Sequence, residues 1–166
     1  SIDGPSGSGF GVSASMTDRF AIVGAHSGNK AFVYARDAST GAWGTTAAAT
    51  FTGPAGSTRF GFDVWISDSY AIVGTRDWGS GATPSNTAYI YARDEATGTW
   101  GTAAVAPLTG YTSQGSFGRG VAIHGSYALV GAFGAKTAYF FSLACPLGAY
   151  REGGSCISCA AGSYGG

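Results

Sequence analysis

The segment GFGVSASMTDRFAIVGA (residues 9–25) returns as RFGFDVWISDSYAIVGT (59–75) and again as SFGRGVAIHGSYALVGA (116–132). Phe10-Gly11, Phe60-Gly61 and Phe117-Gly118 recur at spacings of 50 and 57, and Val23-Gly24, Val73-Gly74 and Val130-Gly131 keep the same two spacings. The aromatic segments AFVYARD (31–37), AYIYARD (88–94) and AYFFSLA (138–144) follow in register, and Trp43-Gly44 is matched by Trp100-Gly101. A unit that repeats in this way buries its faces mainly against copies of itself, so the repeat constrains the fold more than any single motif does. The second copy is seven residues longer after Val-Gly, where TRDWGSGATPSNT stands in place of AHSGNK. An insertion confined to one place and rich in Gly, Ser, Thr and Pro predicts a lengthened surface loop.

Each unit holds four strand-like pieces. FGVSASMT places Phe10, Val12 and Ala14 at period two, and RFAIVGA is nearly continuous in apolar residues, as a strand buried on both faces is. AFVYARD suits a pleated surface, and a fourth strand is expected to begin at Trp43 and run through GTTAAATF. Turn residues separate the pieces, and Gly is too frequent for helix interiors. Four short antiparallel strands in about 50 residues is the arithmetic of a β-propeller blade. The expected class is all-β, with three four-stranded repeats at 4–53, 54–110 and 111–144. The last is incomplete because it has no Trp strand. Residues 1–3 would be the end of a preceding blade, with Ile2 in the place of Phe51 and Leu108, and 145–166 a separate cysteine-rich segment. The Gly after each Phe and each Val is expected to allow close sheet approach or a positive φ.

The 166 residues suffice for one domain with a core. Nine basic and nine acidic residues, with no basic run, argue against capture of nucleic acid or acidic lipid. No apolar run reaches the roughly 18 residues that would span a bilayer. No signal peptide opens the sequence, so a secreted form is expected to be processed or cut.

The Phe-Gly, AIVGA and VYxR elements resemble the FG-GAP repeats of integrin-α-type β-propellers over residues 4 to 143. That resemblance implies a blade architecture and an adhesion or extracellular role, mostly without catalysis. The calcium loop common in such repeats is missing. AHSGNK, TRDWGS and AFGAKT hold a single carboxylate, Asp77, where a hard cation needs six to eight oxygens. No metal or cofactor is therefore expected. From Cys145 the sequence CPLGAYREGGSCISCAAGSYGG resembles the cysteine-rich repeats of ephrin-receptor ectodomains and related EGF-like stalks, through Cys145, Pro146, Gly148, Tyr150, Cys156, Cys159, Gly162 and Tyr164. The resemblance implies a Cys145–Cys156 disulfide, with Cys159 paired to a residue outside the chain, and a place within a longer extracellular protein. Such Gly-rich segments need staples. Zinc is the rival for CISC, but structural zinc usually takes four ligands and only Cys145 offers a third thiol.

No catalytic set emerges. His26 is expected to be a solvated loop residue and His124 a turn or edge residue. Asp18 and Asp68 suit turns in which the carboxylate accepts a backbone N–H. Arg36 and Arg93 are expected to pair with a carboxylate or stack on Trp. GSGFG is a turn, since no Lys-Ser/Thr follows it. Neither Asn29 nor Asn86 opens an Asn-x-Ser/Thr sequon, whereas O-linked sugar is open at sites such as Thr83 before Pro84. The expected function is a non-enzymatic extracellular structural or adhesion module, on a cell surface or in a filament such as a flagellar hair. Its partners would be other proteins or copies of itself. The alternative is a carbohydrate-binding, lectin-like propeller using Trp78 of the inserted loop, whose structural role would be to anchor that loop. A hydrolase or lyase on the same scaffold ranks third.

Overall fold

In the computed structural model the chain is all-β. The structure describes residues 1–57, 59–76, 86–109, 116–143, 149–152 and 155–158, the last two segments by their backbone alone. Strands β1 (Phe10–Met16), β2 (Phe20–Ala25), β3 (Lys30–Ala35) and β4 (Ala49–Thr52) form the first sheet. β5 (Asp63–Ile66), β6 (Tyr70–Gly74), β7 (Thr87–Ala92) and β8 (Ala106–Thr109) form the second, and β9 (Phe117–His124), β10 (Tyr127–Ala132) and β11 (Thr137–Ser142) the third. Each is an antiparallel meander in chain order. The third repeat therefore shows three strands among the described residues rather than four, for the reason visible in the sequence: nothing there matches Trp43 and Trp100. Residues 1–5 form no strand, so the expected end of a preceding repeat pairs with no sheet of this chain. In the cysteine-rich segment β12 (Ala149–Glu152) and β13 (Ser155–Ser158) make a hairpin. Among the described residues no helix is long and apolar enough to cross a membrane.

The three sheets stack face to face, with the second in the middle, and the strand alternation sorts its side chains between two cores. Ala71, Val73, Tyr89 and Tyr91 join Ile22, Val33 and Phe51 of the first sheet. Ile72, Ala88 and Ile90, one residue out of phase, join Val121, Ile123 and Val130 of the third. This explains why β6 is buried at every position from Ala71 to Gly74, as its continuous apolar run predicts. β10 alternates exposed and buried because only one of its faces is covered. The first strands touch, β1 with β5 and β5 with β9, whereas no comparable contact joins β4 to β8. The sheets thus converge on their first strands and spread toward their last.

Local chemistry departs from the sequence expectation in two strands. In β1, four residue steps from Phe10 to Ala14 oppose two from Ala25 to Val23, so a bulge interrupts the period-two set. Val12 leaves the set, swings toward Gly24 and is 40% exposed. The fourth strand begins at Ala49, not at Trp43. Trp43 and Trp100 each make one isolated bridge, to Arg36 and Arg93, and the chain then arches out. It rejoins the ladder where Ala48 and Val105 donate to the carbonyls of Val33 and Ile90. Pro107 is tolerated in β8 because that strand is an edge.

Candidate functional site

The feature that the chain builds twice is the joint between successive sheets. Gly61 and Gly118 take φ of +85° and +89°, a region L side chains rarely adopt, and this turns their carbonyls onto the sheet before them. The Gly61 carbonyl lies where a Cβ on Gly24 would be, and the Gly118 carbonyl where a Cβ on Gly74 would be. Conversely, a Cβ on Gly61 would run into the Lys30 carbonyl, and one on Gly118 would come within 2.8 Å of the Thr87 carbonyl. The Phe-Gly of one repeat and the Val-Gly of the preceding repeat are two halves of one close backbone contact. That contact is the physical reason for both sequence anchors.

Each Phe then fixes the aromatic residues of its own third strand. Phe10 lies 5.7 Å from Phe32, Phe60 lies 5.7 Å from Tyr89, and Phe117 lies 5.4 Å from Tyr139. Phe60 and Phe117 are fully buried between sheets, while Phe10, on the side of the first sheet that no other sheet covers, is half-buried against Gly4. Trp100 bridges to the preceding sheet, edge-on to Phe20 at 5.4 Å, and is buried; Trp43 has no sheet before it and is half-buried.

Three polar residues at the joint were not singled out from sequence for this role. Asn29, left-handed at φ +53°, donates to the Ser57 carbonyl at 2.7 Å and accepts from Phe60 N–H at 3.0 Å, so it pins the approach to the second Phe-Gly. Asp63 ties all three sheets: Oδ1 accepts from Ser13 Oγ at 2.6 Å and Oδ2 from the Val121 N–H at 2.8 Å. A signal for it existed, because an acidic residue stands inside a strand where the other copies have Ser13 and Gly120. Thr75, fully buried, closes a pair with Thr87 in which its hydroxyl donates to the Thr87 carbonyl and accepts from the Thr87 N–H.

The remaining candidates take other roles. His26 lies in the connection between β2 and β3, as expected, but is half-buried rather than fully solvated. It opens a single 3-10 turn (His26–Gly28), sits edge-on to Phe62 at 5.8 Å, and has a buried Nδ1 without a hydrogen-bond partner. His124 is the exposed last residue of β9, opposite Tyr127. The turns before β2 and β6 are held by Thr17 and Ser67, whose hydroxyls accept from Phe20 and Tyr70 N–H, and not by Asp18 and Asp68. Asp68 instead accepts from Thr17 Oγ1 across the joint at 2.9 Å. Among the described residues the side chains of Arg36 and Arg93 hydrogen-bond no carboxylate and stack on no Trp; each Nε donates to the carbonyl of a turn glycine, Gly41 or Gly98. Arg93 also lies over the Phe20 ring and helps to lower the neighbouring Asp94 carboxyl by its charge. The carboxylates that do cap turns are Asp37 and Asp94. Asp37 accepts from Ser39 Oγ and from the N–H groups of Ser39 and Thr40, which holds its carboxyl down at about 2. Asp94 is lowered in the same way, first by the Thr97 N–H. Burial pushes the Tyr91 phenol up, as its place between the first two sheets requires.

A groove of about 560 Å³ opens between the second and third sheets, lined by Asp68, Tyr70, Arg93, Glu95 and Ser126 among others. Trp78, Cys145 and Cys159 lie outside the described residues. Cys156 is placed by its backbone only, opposite Arg151 in the hairpin, so the disulfide expectation also falls outside them. Among the described residues no group of three or more His, Cys, Asp and Glu converges. No protein-family model matches the chain, and no curated protein matches it.

Proposed function

We propose that the chain is a non-enzymatic extracellular module of propeller-blade type, which presents sheet faces to protein partners in adhesion or in a surface fibre. The observation that carries this reading is the uncovered outer face of the third sheet, where Tyr127 is 63%, Leu129 36% and Phe140 78% exposed. Contiguous apolar surface of this kind marks a contact with another polypeptide more often than it marks a catalytic cleft. The fan of sheets converging on their first strands supports the blade reading. The low charge, 11% of residues, supports assembly through apolar faces rather than through charge. The cysteine-rich segment would be a stapled stalk.

A second reading, carbohydrate binding, is favoured by one observation. The groove beside Tyr70 combines an aromatic ring with Asp68, Arg93 and Glu95, groups able to hydrogen-bond sugar hydroxyls.

A photo-crosslinking residue at position 140, activated in the protein's native setting, separates the two. The protein-contact reading predicts a covalent adduct with a polypeptide that free sugars do not prevent. Retention on immobilised glycans with release by free sugar, and no polypeptide adduct, would replace it with the second reading. Turnover of glycosides or polysaccharide by the purified chain would overturn the non-enzymatic part.

A further inference from the structure

Every sheet in this chain has two unlike faces. The leading face carries the Phe of Phe-Gly and the third-strand aromatics at 32 and 34, 89 and 91, or 139 and 141. The trailing face carries Ile22 and Val33, Ile72 and Ile90, or Leu129 and Phe140. Twice, a leading face sits on the trailing face before it. This leaves a leading face with no sheet on it at the first sheet, where the N-terminal residues around Gly4 lie against Phe10 and Tyr34 is already buried while Met16 is exposed, and a trailing face open on the third, on opposite sides of the stack.

Both open faces are already shaped for the joint. On the third sheet Leu129 and Phe140 are 36% and 78% exposed, where their counterparts Ile22, Val33, Ile72 and Ile90 are at most 1% exposed. On the first sheet Met16 is 64% exposed, where its counterparts Ile66 and Ile123 are 2% and 4% exposed. The backbone agrees. Gly11 has φ +89°, like Gly61 and Gly118, yet nothing stands within 4 Å of the place its Cβ would occupy. Gly131 is the counterpart of Gly24 and Gly74, yet the nearest atom to its absent Cβ is the Gly120 carbonyl of its own sheet at 3.5 Å. A left-handed glycine and a bare glycine face solvent at opposite ends of the stack, each lacking the half of the contact that the other supplies.

We propose that the trailing face of the third sheet receives the leading face of the first sheet of a second copy of this chain, head to tail. In that contact the Gly11 carbonyl covers Gly131. Trp43 takes the position on Tyr127 that Trp100 takes on Phe20, and Arg36 lies over the Tyr127 ring as Arg93 lies over Phe20 at 5.2 Å. The occupant is a copy, because among the described residues the first sheet's leading face is the surface of the kind whose fit to a trailing face the chain itself demonstrates, twice. Two unlike faces make a heterologous interface, which closes into a ring or runs on as a filament according to the rotation per step. The proposal rests on the protein-contact reading above and names its partner.

Sedimentation of the full 166-residue chain over a range of concentrations tests it. The wild type should associate, into a closed ring of two or more copies or into a filament. Gly131→Ala should weaken association by roughly tenfold or more while leaving the monomer folded, since the added methyl meets only ordinary contacts in one molecule but blocks the carbonyl of the next. Trp43→Ala should weaken association from the other end. Each variant can use only its intact face, so a mixture of Gly131→Ala with Trp43→Ala should form a one-to-one dimer. Circular dichroism of each variant keeps loss of folding distinct from loss of association. Three results would overturn the proposal: a monomeric wild type at all concentrations, association untouched by either variant, or crosslinks from position 140 of one copy to position 140 of another. If the chain stays monomeric while position 140 still captures a different polypeptide, self-stacking fails and the broader reading stands.

Discussion

Trp43 and Trp100 occupy the same place in the repeat, yet the structure gives them unequal weight. Trp100 is buried against Phe20 and Phe51, so Trp100→Ala should cost roughly 3–5 kcal/mol, the usual range for removing an indole from a core. Trp43 has only its own sheet to lean on, and Trp43→Ala should cost about 1 kcal/mol in the monomer. Urea midpoints of the two variants check the difference, and equal losses would mean that both rings are covered. Asp37 gives a prediction in pH. Its carboxyl is held at about 2, below the ordinary value of 3.8, by Ser39 Oγ first and then by the Thr40 and Ser39 N–H groups. A carboxyl depressed in the folded state adds stability that is fully present above the ordinary value and is lost as pH falls from there through the folded one. Carboxyl NMR should therefore show Asp37 titrating near 2, and Ser39→Ala should move the midpoint upward. A midpoint at the ordinary value would remove the turn cap from the account.

At the scale of the strand, burial on both faces should show as kinetic protection. β6 and β7, covered by the first sheet on one side and the third on the other, should have the slowest amide exchange in the chain. β10, in the same repeat position as β6 but open on one face, should exchange faster. Comparable protection in β6 and β10 would show that the outer face of the third sheet is covered in solution. The inner strands were legible in the sequence because AIVG and the aromatic triplets carry the β-sheet pattern in their own residues. The outer strands were less so. The positive φ at Gly11 bends β1 and takes Val12 out of its set, and no periodicity rule sees a backbone bulge coming. At β4 the Trp-Gly anchor marks a bridge, and the strand itself waits until Ala49, since the intervening residues arch outside the ladder. Thr17 and Ser67 took the turn role expected of Asp18 and Asp68 because a hydroxyl one residue earlier already reaches the N–H of the strand that follows.

At the scale of the whole molecule, the repeat identified which glycines matter but not what they touch. Phe-Gly and Val-Gly stand 13 residues apart within each copy, but the glycines that meet, Gly24 with Gly61 and Gly74 with Gly118, are 37 and 44 residues apart, and only the stacking of one sheet on the next brings them together. The joint also depends on Asp63, which joins three sheets from a position where the repeat is broken, and on Asn29, read in the sequence only as the absence of a glycosylation site. These glycine contacts hold the stack together. Urea unfolding of Gly74→Ala beside Gly131→Ala, at concentrations low enough to keep the chain monomeric, tests this most directly. A methyl at Gly74 would collide with the Gly118 carbonyl, and overpacking of this kind typically costs about 1–3 kcal/mol, with a rigid backbone obstacle at the upper end. A methyl at Gly131 meets nothing closer than 3.5 Å and replaces a flexible residue inside a strand, so it should be neutral or stabilise by up to about 1 kcal/mol. Equal destabilisation by both substitutions, or none by either, would contradict the claim.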